Sequence, residues 1–394
     1  MSPRERRLLL AVLGSLTFTA VYASVVISPV LTQIAHEFDI TTGTAGLVVA
    51  AYGAPGVLVA LLSGPYSDRF GRRRFLIVGS AVMGLFTLVS AFATSFAVLL
   101  ALRAVAGIGA SLIFPNVTAM IGDNFAYRDR GRAMSTVIGF NTMASVIGVP
   151  AAGIIAEASS WRISLILVGG LSMAATVLLY FLLRPTQVHV SATRFFDLYR
   201  TVLRSRSAVA AIISSFLGSL YWFAWATYIV VFFEQVYGLP RGTASTIALT
   251  LGLGVLIGSQ VGGRLGDRIG HKPVVAATII ISAVVLLVLT NFDQPLYVAA
   301  GLNLLLSTVI GARFATNQTL MTEQMPTARG TLMALVAALA SLSIVVASSV
   351  GGILIDAYGF WAIGIFCFTC ALISMLVVLI FVKEEPIDIE LAPL

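Results

Sequence analysis

Twelve apolar runs decide what this chain can fold into. They fall near residues 8–31, 45–66, 75–93, 96–121, 134–158, 162–183, 208–233, 244–265, 274–291, 296–322, 332–357 and 360–382. A helix needs about 20 apolar residues to cross a bilayer core, and each run is close to that length. Backbone polar groups cannot find water in lipid, so a run of this kind must satisfy them internally as a helix. Twelve spans would use about 240 of the 394 residues and leave connections of about a dozen each. Composition agrees: 58% of residues are hydrophobic and 10% charged, where an average soluble domain carries about 25% charged residues. A soluble enzyme, a disordered chain and a secreted disulfide scaffold are excluded. The expectation is an all-α, multi-pass membrane protein.

The net charge of +7 would point to nucleic acid in a soluble protein, but here the positions of the charges say otherwise. With the N terminus placed in the cytoplasm, 20 of the 24 Lys and Arg fall on the inner side, from Arg4 to Lys383. Two, Arg162 and Arg241, fall outside, and Arg103 and Arg313 lie within runs. Cationic loops are retained on the cytoplasmic side during insertion. The basic excess is therefore a topology signal, with both termini inside, in a plasma (bacterial cytoplasmic) membrane, and no nucleic-acid partner is expected. The Arg4, Arg6 and Arg7 cluster before the first run resembles a signal peptide. The run is too long for one and lacks a small-residue cleavage pattern, so it reads as an uncleaved first span.

The only cysteines, Cys367 and Cys370, sit in the last run without further ligands nearby. Zinc needs four ligands, so packing is the expected role, with no metal and no cofactor. Asn116-Val117-Thr118 and Asn317-Gln318-Thr319 match the glycosylation pattern but lie inside runs. No nucleophile–base pair or nucleotide loop is present, and Gly252-Leu253-Gly254 lacks the spacing of a dinucleotide fingerprint. The chain is not expected to be an enzyme.

A constant offset of 199 residues runs without a gap from the second span to the end of the fifth, and Trp161 reappears one residue out of step at Trp361. Gly43-Thr44-Ala45 recurs as Gly242-Thr243-Ala244, and Gly64, Asp68, Arg69 and Gly71 recur as Gly263, Asp267, Arg268 and Gly270. Arg73 is matched by Lys272, Gly131 and Met134 by Gly330 and Met333, Gly153 and Glu157 by Gly352 and Asp356. This is duplication of a six-span unit. Six is even, so both units enter from the same side and form parallel repeats. Residues 1–183 are expected to make one six-helix bundle and 208–394 the other. Between them, 184–207 is a cytoplasmic linker with five Arg and Pro185. Two pseudo-symmetric bundles flanking a midplane pocket suit a rocking transporter.

Gly64-Pro65-Tyr66-Ser67-Asp68-Arg69-Phe70-Gly71-Arg72-Arg73-Arg74 resembles the signature loop of the major facilitator superfamily, between its second and third helices. A degenerate second copy runs from Gly263 to Lys272, where the family places it, and the resemblance covers essentially the whole chain. Leu102-Arg103-Ala104-Val105-Ala106-Gly107-Ile108-Gly109-Ala110 resembles the fourth-helix arginine motif of the drug:H+ antiporter branch, with Ala106 where Gln is common. Gly148, Pro150 and Gly153 resemble its fifth-helix antiporter motif, as seen in sugar- and drug-efflux members. Val149 and Ile154 replace the usual glycines there. The resemblance implies proton-coupled efflux of small amphipathic compounds by alternating access, from a monomer in a lipid bilayer.

The resemblance also implies a cytoplasmic lock built from Gly64, Asp68, Arg69, Gly71, Arg72, Arg73 and Asp123, repeated with Asp267, Arg268 and Glu323. Asp123 would pair with Arg69 or Arg73, and Asp68 would face the positive N-terminal end of the eleventh helix. Such a contact is worth ~0.3–2 kcal/mol. Arg103 lies about eight residues into its run, ~12 Å deep at 1.5 Å per residue, and a mid-membrane Arg costs ~2.5–3.5 kcal/mol on insertion scales. Arg103 and Arg313 should therefore face protein or water. Their repeat mates are Leu302 and Phe114, so duplication explains neither. No Asp, Glu or His occupies the middle third of any run. Proton coupling is thus assigned only to Asp123 or Glu234.

Family architecture implies that helices one, four, seven and ten line the cavity. The expected lining is Tyr22, Arg103, Asn116, Asn141, Tyr221, Trp222, Trp225, Tyr228, Asn303, Arg313, Asn317 and Gln318. Tyr221, Trp225 and Tyr228 share one face at i, i+4, i+7, which suits flat ligands or, alternatively, aromatic packing. Gly254, Gly258, Gly262 and Gly266 permit close backbone approach and are assigned to packing where the halves slide. Two other functions stay open. One is an organic-anion carrier or exchanger using Arg103 and Arg313, and the other is a membrane sensor or scaffold that transports nothing.

Overall fold

The computed structural model describes residues 3–182, 195–325 and 329–383. Linker positions 184–194 and the side chain of Asp68 lie outside that description. Among the described residues the chain is helical, without strands. Twelve helices are long and apolar enough to cross a membrane. Spans 1–6 are Arg4–Glu37, Thr42–Ser63, Arg72–Ser90, Phe96–Asn124, Asp129–Ala158 and Trp161–Leu182. Spans 7–12 are Arg206–Tyr237, Arg241–Ile269, His271–Asn291, Leu296–Met321, Thr331–Tyr358 and Phe360–Phe381. They form two pseudo-symmetric bundles of six. The end of the molecule where span 1 begins is called the basic end below, and the opposite end the far end.

Local chemistry starts and stops the helices. The side chains of Thr41, Ser95 and Ser205 accept from the backbone N–H of Thr44, Val98 and Ala208 at 3.2, 3.3 and 3.3 Å, capping donors that a helix start leaves orphaned. Between spans 2 and 3 the chain turns at Gly71 (φ 92°), and between spans 8 and 9 at Gly270 (φ 98°). Side chains rarely adopt that backbone, which explains why glycine stands at both positions of the repeat.

The two halves differ in continuity. Span 1 is interrupted by a 3₁₀ turn at Ser28–Val30, span 2 breaks around Pro55, and span 4 divides between Ser111 and Ile113, ahead of Pro115. Proline removes a helical N–H and crowds the preceding turn. Pro150 sits inside the unbroken helix Tyr127–Ala158. In spans 7–12 the one proline is Pro273, in a first turn, where it costs no bond. Spans 7, 8 and 10 accordingly run straight through as Arg206–Tyr237, Arg241–Ile269 and Leu296–Gln324.

The span 8 glycine stripe differs from its expectation. Added Cβ atoms at Gly254, Gly258 and Gly262 would strike Ser307, Thr308 and Ala312 of span 10, and at Gly266 would strike His271. The stripe therefore seats span 10 within its own bundle rather than a sliding surface between halves. Gly252, on another face, is the position that meets Val146 of span 5 across the interface.

Candidate functional site: a shared cavity and its far-end latches

A cavity of about 580 Å³ lies between the bundles. Spans 2, 5, 8 and 11 line it together with 1, 4, 7 and 10, because spans 2 and 11, and 5 and 8, pack against each other across the interface. Its N-half wall carries Thr17, Ser24, Ser28, Tyr52, Ser111, Asn141, Thr142 and Ser145. Its C-half wall presents Trp222, Phe223 and Phe314, with Thr227 and Ser341 as its hydroxyls. Among the described residues the wall carries no Asp, Glu, Lys or Arg. Helix breaks add polarity on the N-half side. Pro29 and Pro115 have no N–H, so the carbonyls of Val25 and Ser111, four residues earlier, lose their usual donors, and both residues line the cavity.

Of the residues expected in the lining, Asn141 and Trp222 stand on the wall. Trp222 meets Phe314 edge-on, ring centroids 5.9 Å apart. The others are placed elsewhere by their partners. Trp225 donates to Asn303 Oδ1 at 2.8 Å, and Asn303 donates to Thr250 at 2.6 Å, a buried network inside the C-half bundle. Tyr221 shares a hydrogen bond with Ser282 at 3.0 Å. Tyr228 donates to the carbonyl of Ser348 at 2.6 Å. Asn116 and Asn317 bond Leu112 O and Ser215, Tyr22 packs on Gly148, and Gln318 is exposed. Tyr221 and Trp225 are thus core of the C-half bundle, whereas the Tyr228 hydroxyl, also 3.2 Å from Gly43 O, sits at the contact between the halves.

Arg103 and Arg313 are buried just behind the wall, 0% and 2% exposed. Arg103 donates to Ala23 O at 2.8 Å and lies over the Tyr52 ring, 4.2 Å from its centroid. Its Nε and Nη1 have no hydrogen-bond partner. Arg313 reaches the Tyr221 hydroxyl at 3.4 Å, lies over the Tyr221 and Phe314 rings at 5.3 and 5.7 Å, and leaves Nε unpartnered. Neither arginine faces a carboxylate among the described residues. A guanidinium does not lose its proton in a protein, so two positive charges stand behind opposite walls. Cation–π contacts of this kind are worth ~0.5–2 kcal/mol and leave the charge uncompensated.

At the far end, the halves are tied by contacts that obey the repeat. Asp356, ending span 11, accepts from Gly43 N at 2.9 Å and from the Thr41 hydroxyl at 2.5 Å at the start of span 2. Its mate Glu157, ending span 5, accepts from Gly242 N at the start of span 8. Each acid therefore caps the positive helix N-terminus of the opposite half. The fit is close: a Cβ on Gly43 would collide with Gly352 O, one on Gly352 with Gly43 O, and one on Gly153 with Ser245. Thr32 donates to Glu234 at 2.8 Å and accepts from Arg241, which also holds Glu234 at 2.9 Å. Ser28 donates to its own repeat mate, Thr227 O, at 2.8 Å. The two arginines assigned outside from the sequence, Arg162 and Arg241, both lie at this end, Arg162 on Glu37 at 2.5 Å.

The basic end carries ion pairs within each half. Asp123 takes Arg72 at 2.5 Å, rather than the expected Arg69 or Arg73. Arg73 instead turns outward to Tyr180 O at 2.6 Å, and its mate Lys272 reaches Leu379 O, the mate of Tyr180, at 3.0 Å. Both cations cap the last turn of a neighbouring span, where carbonyls are unsatisfied. Arg69 lies over Phe70 at 5.5 Å, and Arg268 is exposed. The repeat mate of Arg72 is His271, held 3.5 Å from Glu323 and 3.9 Å from Asp267.

Sequence reasoning missed the latches and most of the hydroxyl wall. The signal was present for the first: Gly43 with Asp356 and Gly242 with Glu157 are two repeat pairs that the fold joins crosswise. For the second, the hydroxyls beside Pro29 and Pro115 were the trace.

Twelve spans in two matched bundles around a shared cavity are the architecture of a membrane transporter. The chain belongs to the Major Facilitator Superfamily, which it matches over residues 13–259 and 240–393. It is 31% identical over 183 residues to a probable sulfoacetate transporter of Cupriavidus necator, 46% of this chain and 43% of that one. To a 4-hydroxybenzoate transporter of Pseudomonas aeruginosa it is 34% identical over 180 residues, 45% and 39% of the two chains. To multidrug resistance protein 2 of Bacillus subtilis it is 28% identical over 155 residues, 39% of each. The chain covers less than half the length of each of these relatives. A crystal structure of a bacterial homolog to the human lysosomal transporter Spinster, inward-facing and unoccupied, shares the fold. Its TM-score is 0.74 at 14% identity, over 96% of this chain and 95% of that one.

Proposed function

We propose that this protein moves small amphipathic organic compounds by alternating access, exporting them in exchange for protons. The observation that carries the reading is the pair of reciprocal latches closing one end of a cavity walled by both halves. With the basic end in the cytoplasm, as the arginine distribution favours, the latched end is the outer one, and the state is inward-facing. Opening the outer end means withdrawing Asp356 and Glu157 from two helix N-termini at ~0.3–2 kcal/mol each. Substrate binding energy or the cytoplasmic lock around Asp68 and Asp123 can offset that cost. Efflux is supported by the Gly148, Pro150 and Gly153 motif, and we assign proton exchange to Glu234 or Asp123.

The test is flux from proteoliposomes under an imposed pH gradient. We expect solute movement that follows the gradient and collapses when an ionophore dissipates it. Movement indifferent to the gradient would remove proton coupling. No flux of any solute, with ligand binding and an unaffected Asp68→Asn variant, would favour a sensor instead.

A second reading, an organic-anion carrier, is favoured by one specific observation: two buried guanidinium groups stand behind a wall with no carboxylate among the described residues. Two of the relatives, the sulfoacetate and 4-hydroxybenzoate transporters, carry anions by name. Two unit charges about 8 Å apart attract by about 2 kcal/mol at an effective dielectric of about 20. That is enough to sort anions from cations.

A further inference from the structure

We infer that the cavity is a two-walled receptor for an aromatic organic anion, its charged group on the N-half wall and its ring against the C half. The inference rests on the transport reading above and gives it a substrate class and an orientation. Polarity is weighted towards the N half: its wall carries most of the hydroxyls together with Phe114, and the C half carries Trp222, Phe223 and Phe314 with the hydroxyls of Thr227 and Ser341. Tyr52 and Asn141 stand on the N-half wall among serine and threonine hydroxyls, and Trp222 and Phe314 make an edge-on aromatic pair opposite.

Two features place the charge. The Tyr52 ring faces the Arg103 guanidinium at 4.2 Å while Tyr52 also forms cavity wall. Its hydroxyl now donates to Ala20 O at a long 3.2 Å, a bond that a carboxylate in the cavity would outcompete, since hydrogen bonds to charged acceptors are about twice as strong. Asn141 lines the same wall with no hydrogen bond, and its amide oxygen is buried. An amide in that position supplies N–H donors after a simple flip. The Val25 and Ser111 carbonyls are partial dipoles set against two full positive charges, so the net field in the cavity stays positive.

The ring belongs on the other wall. Trp222 and Phe314 offer an edge and a face to an aromatic guest, an arrangement worth more than area burial alone. Arg313 lies over Phe314 from behind and adds its charge on this side without touching the cavity. A cationic guest would meet two like charges and no counter-ion.

The experiment is equilibrium binding to the purified full chain in lipid nanodiscs, with four probes of similar size. These are benzoate, benzamide, cyclohexanecarboxylate and benzyltrimethylammonium. We expect benzoate to bind best, on the order of tenfold over benzamide, with the cation weakest. Arg103→Met should erase the preference for benzoate over benzamide while benzamide binding persists, and Arg103→Lys should restore part of it. Tyr52→Phe should weaken benzoate selectively. Trp222→Leu should erase the preference for benzoate over cyclohexanecarboxylate and leave charge selection intact. If Arg103→Met fails to fold, Tyr52→Phe and the four probes on the wild-type protein decide alone. Equal binding of benzoate and benzamide, or tighter binding of the cation, overturns the inference. Gradient-driven flux of other solutes in that case would leave the transport reading standing. Benzoate selectivity without any flux would remove transport and keep the receptor.

Discussion

The two halves descend from one six-span unit, and the positions at which they agree differ in kind from those at which they part. They agree mainly at the ends, the pair Arg72 and His271 excepted. The acid-to-glycine latches, the Gly71 and Gly270 turns, and the Arg73 and Lys272 caps on Tyr180 O and Leu379 O all stand 199 residues apart. They differ in the middle. Pro29, Pro55 and Pro115 have Tyr228, Gly254 and Phe314 as mates, so the breaks of the N half are continuous helix in the C half. Irregular backbone within a membrane is tolerated where it lines a cavity, and the N-half breaks do so. The matched ends serve a movement that both halves must make together, while the unmatched centre serves a ligand that is not itself symmetric.

The largest effect should come from filling the far-end contact. Gly43→Val places side-chain atoms where Gly352 O and the Asp356 carboxylate now sit. Outer closure should then fail, with transport reduced on the order of a hundredfold and expression retained, since overpacking costs ~1–3 kcal/mol or more. Gly301→Val, at a position with open space around it, is the control, and equal loss there would refute the interpretation. Next comes Asp356→Asn with Glu157→Gln. Each removes a charge from a helix N-terminus, ~0.3–2 kcal/mol, so the double variant should shift the conformational ratio by on the order of tenfold. Reactivity of a cysteine at Thr227 towards an impermeant outer reagent would report it. Equal reactivity in wild type and double variant would mean the latches do not hold the gate.

A smaller effect is expected where the halves differ at the basic end. Arg72 is a permanent cation on Asp123, whereas His271 binds Glu323 as an ion pair only when its imidazole is protonated. His271→Arg should give the C half a permanent ion pair like that of Arg72 with Asp123 and change the transport rate a few-fold at constant pH. An unchanged rate would separate His271 from the basic-end contacts. The smallest is Lys272→Met, which frees one carbonyl at the end of span 12. A melting shift consistent with about 1 kcal/mol or less is expected, with flux unaltered.

The fold was largely legible because its signals are long and redundant: apolar runs, charge asymmetry and a gapless repeat. The site was legible in part. Arg103 and Arg313 stood out because charge in a membrane is rare, yet the sequence could not tell that both sit behind the wall, Arg103 screened by Tyr52. The helix-seven aromatics misled because period alone does not say whether a face meets a cavity or a neighbouring helix. Asn141 and Trp222 lie on the wall, but so do Ser24, Ser111 and Ser145, whose small hydroxyls give no pattern. Asp123 found Arg72 rather than Arg73 because Arg73 is drawn to the open carbonyl of Tyr180, a tertiary partner no local rule supplies.

The two ends must move reciprocally, and paired spin-label distances measure that movement directly. In a Cys367→Ala, Cys370→Ala background, one label pair goes at Phe92 and Phe292 on the far end and a second at Arg74 and Arg268 on the basic end. Introducing Asp356→Asn with Glu157→Gln should lengthen the first distance and shorten the second. Distances that stay fixed at both ends, or that change in the same direction, would contradict reciprocal movement.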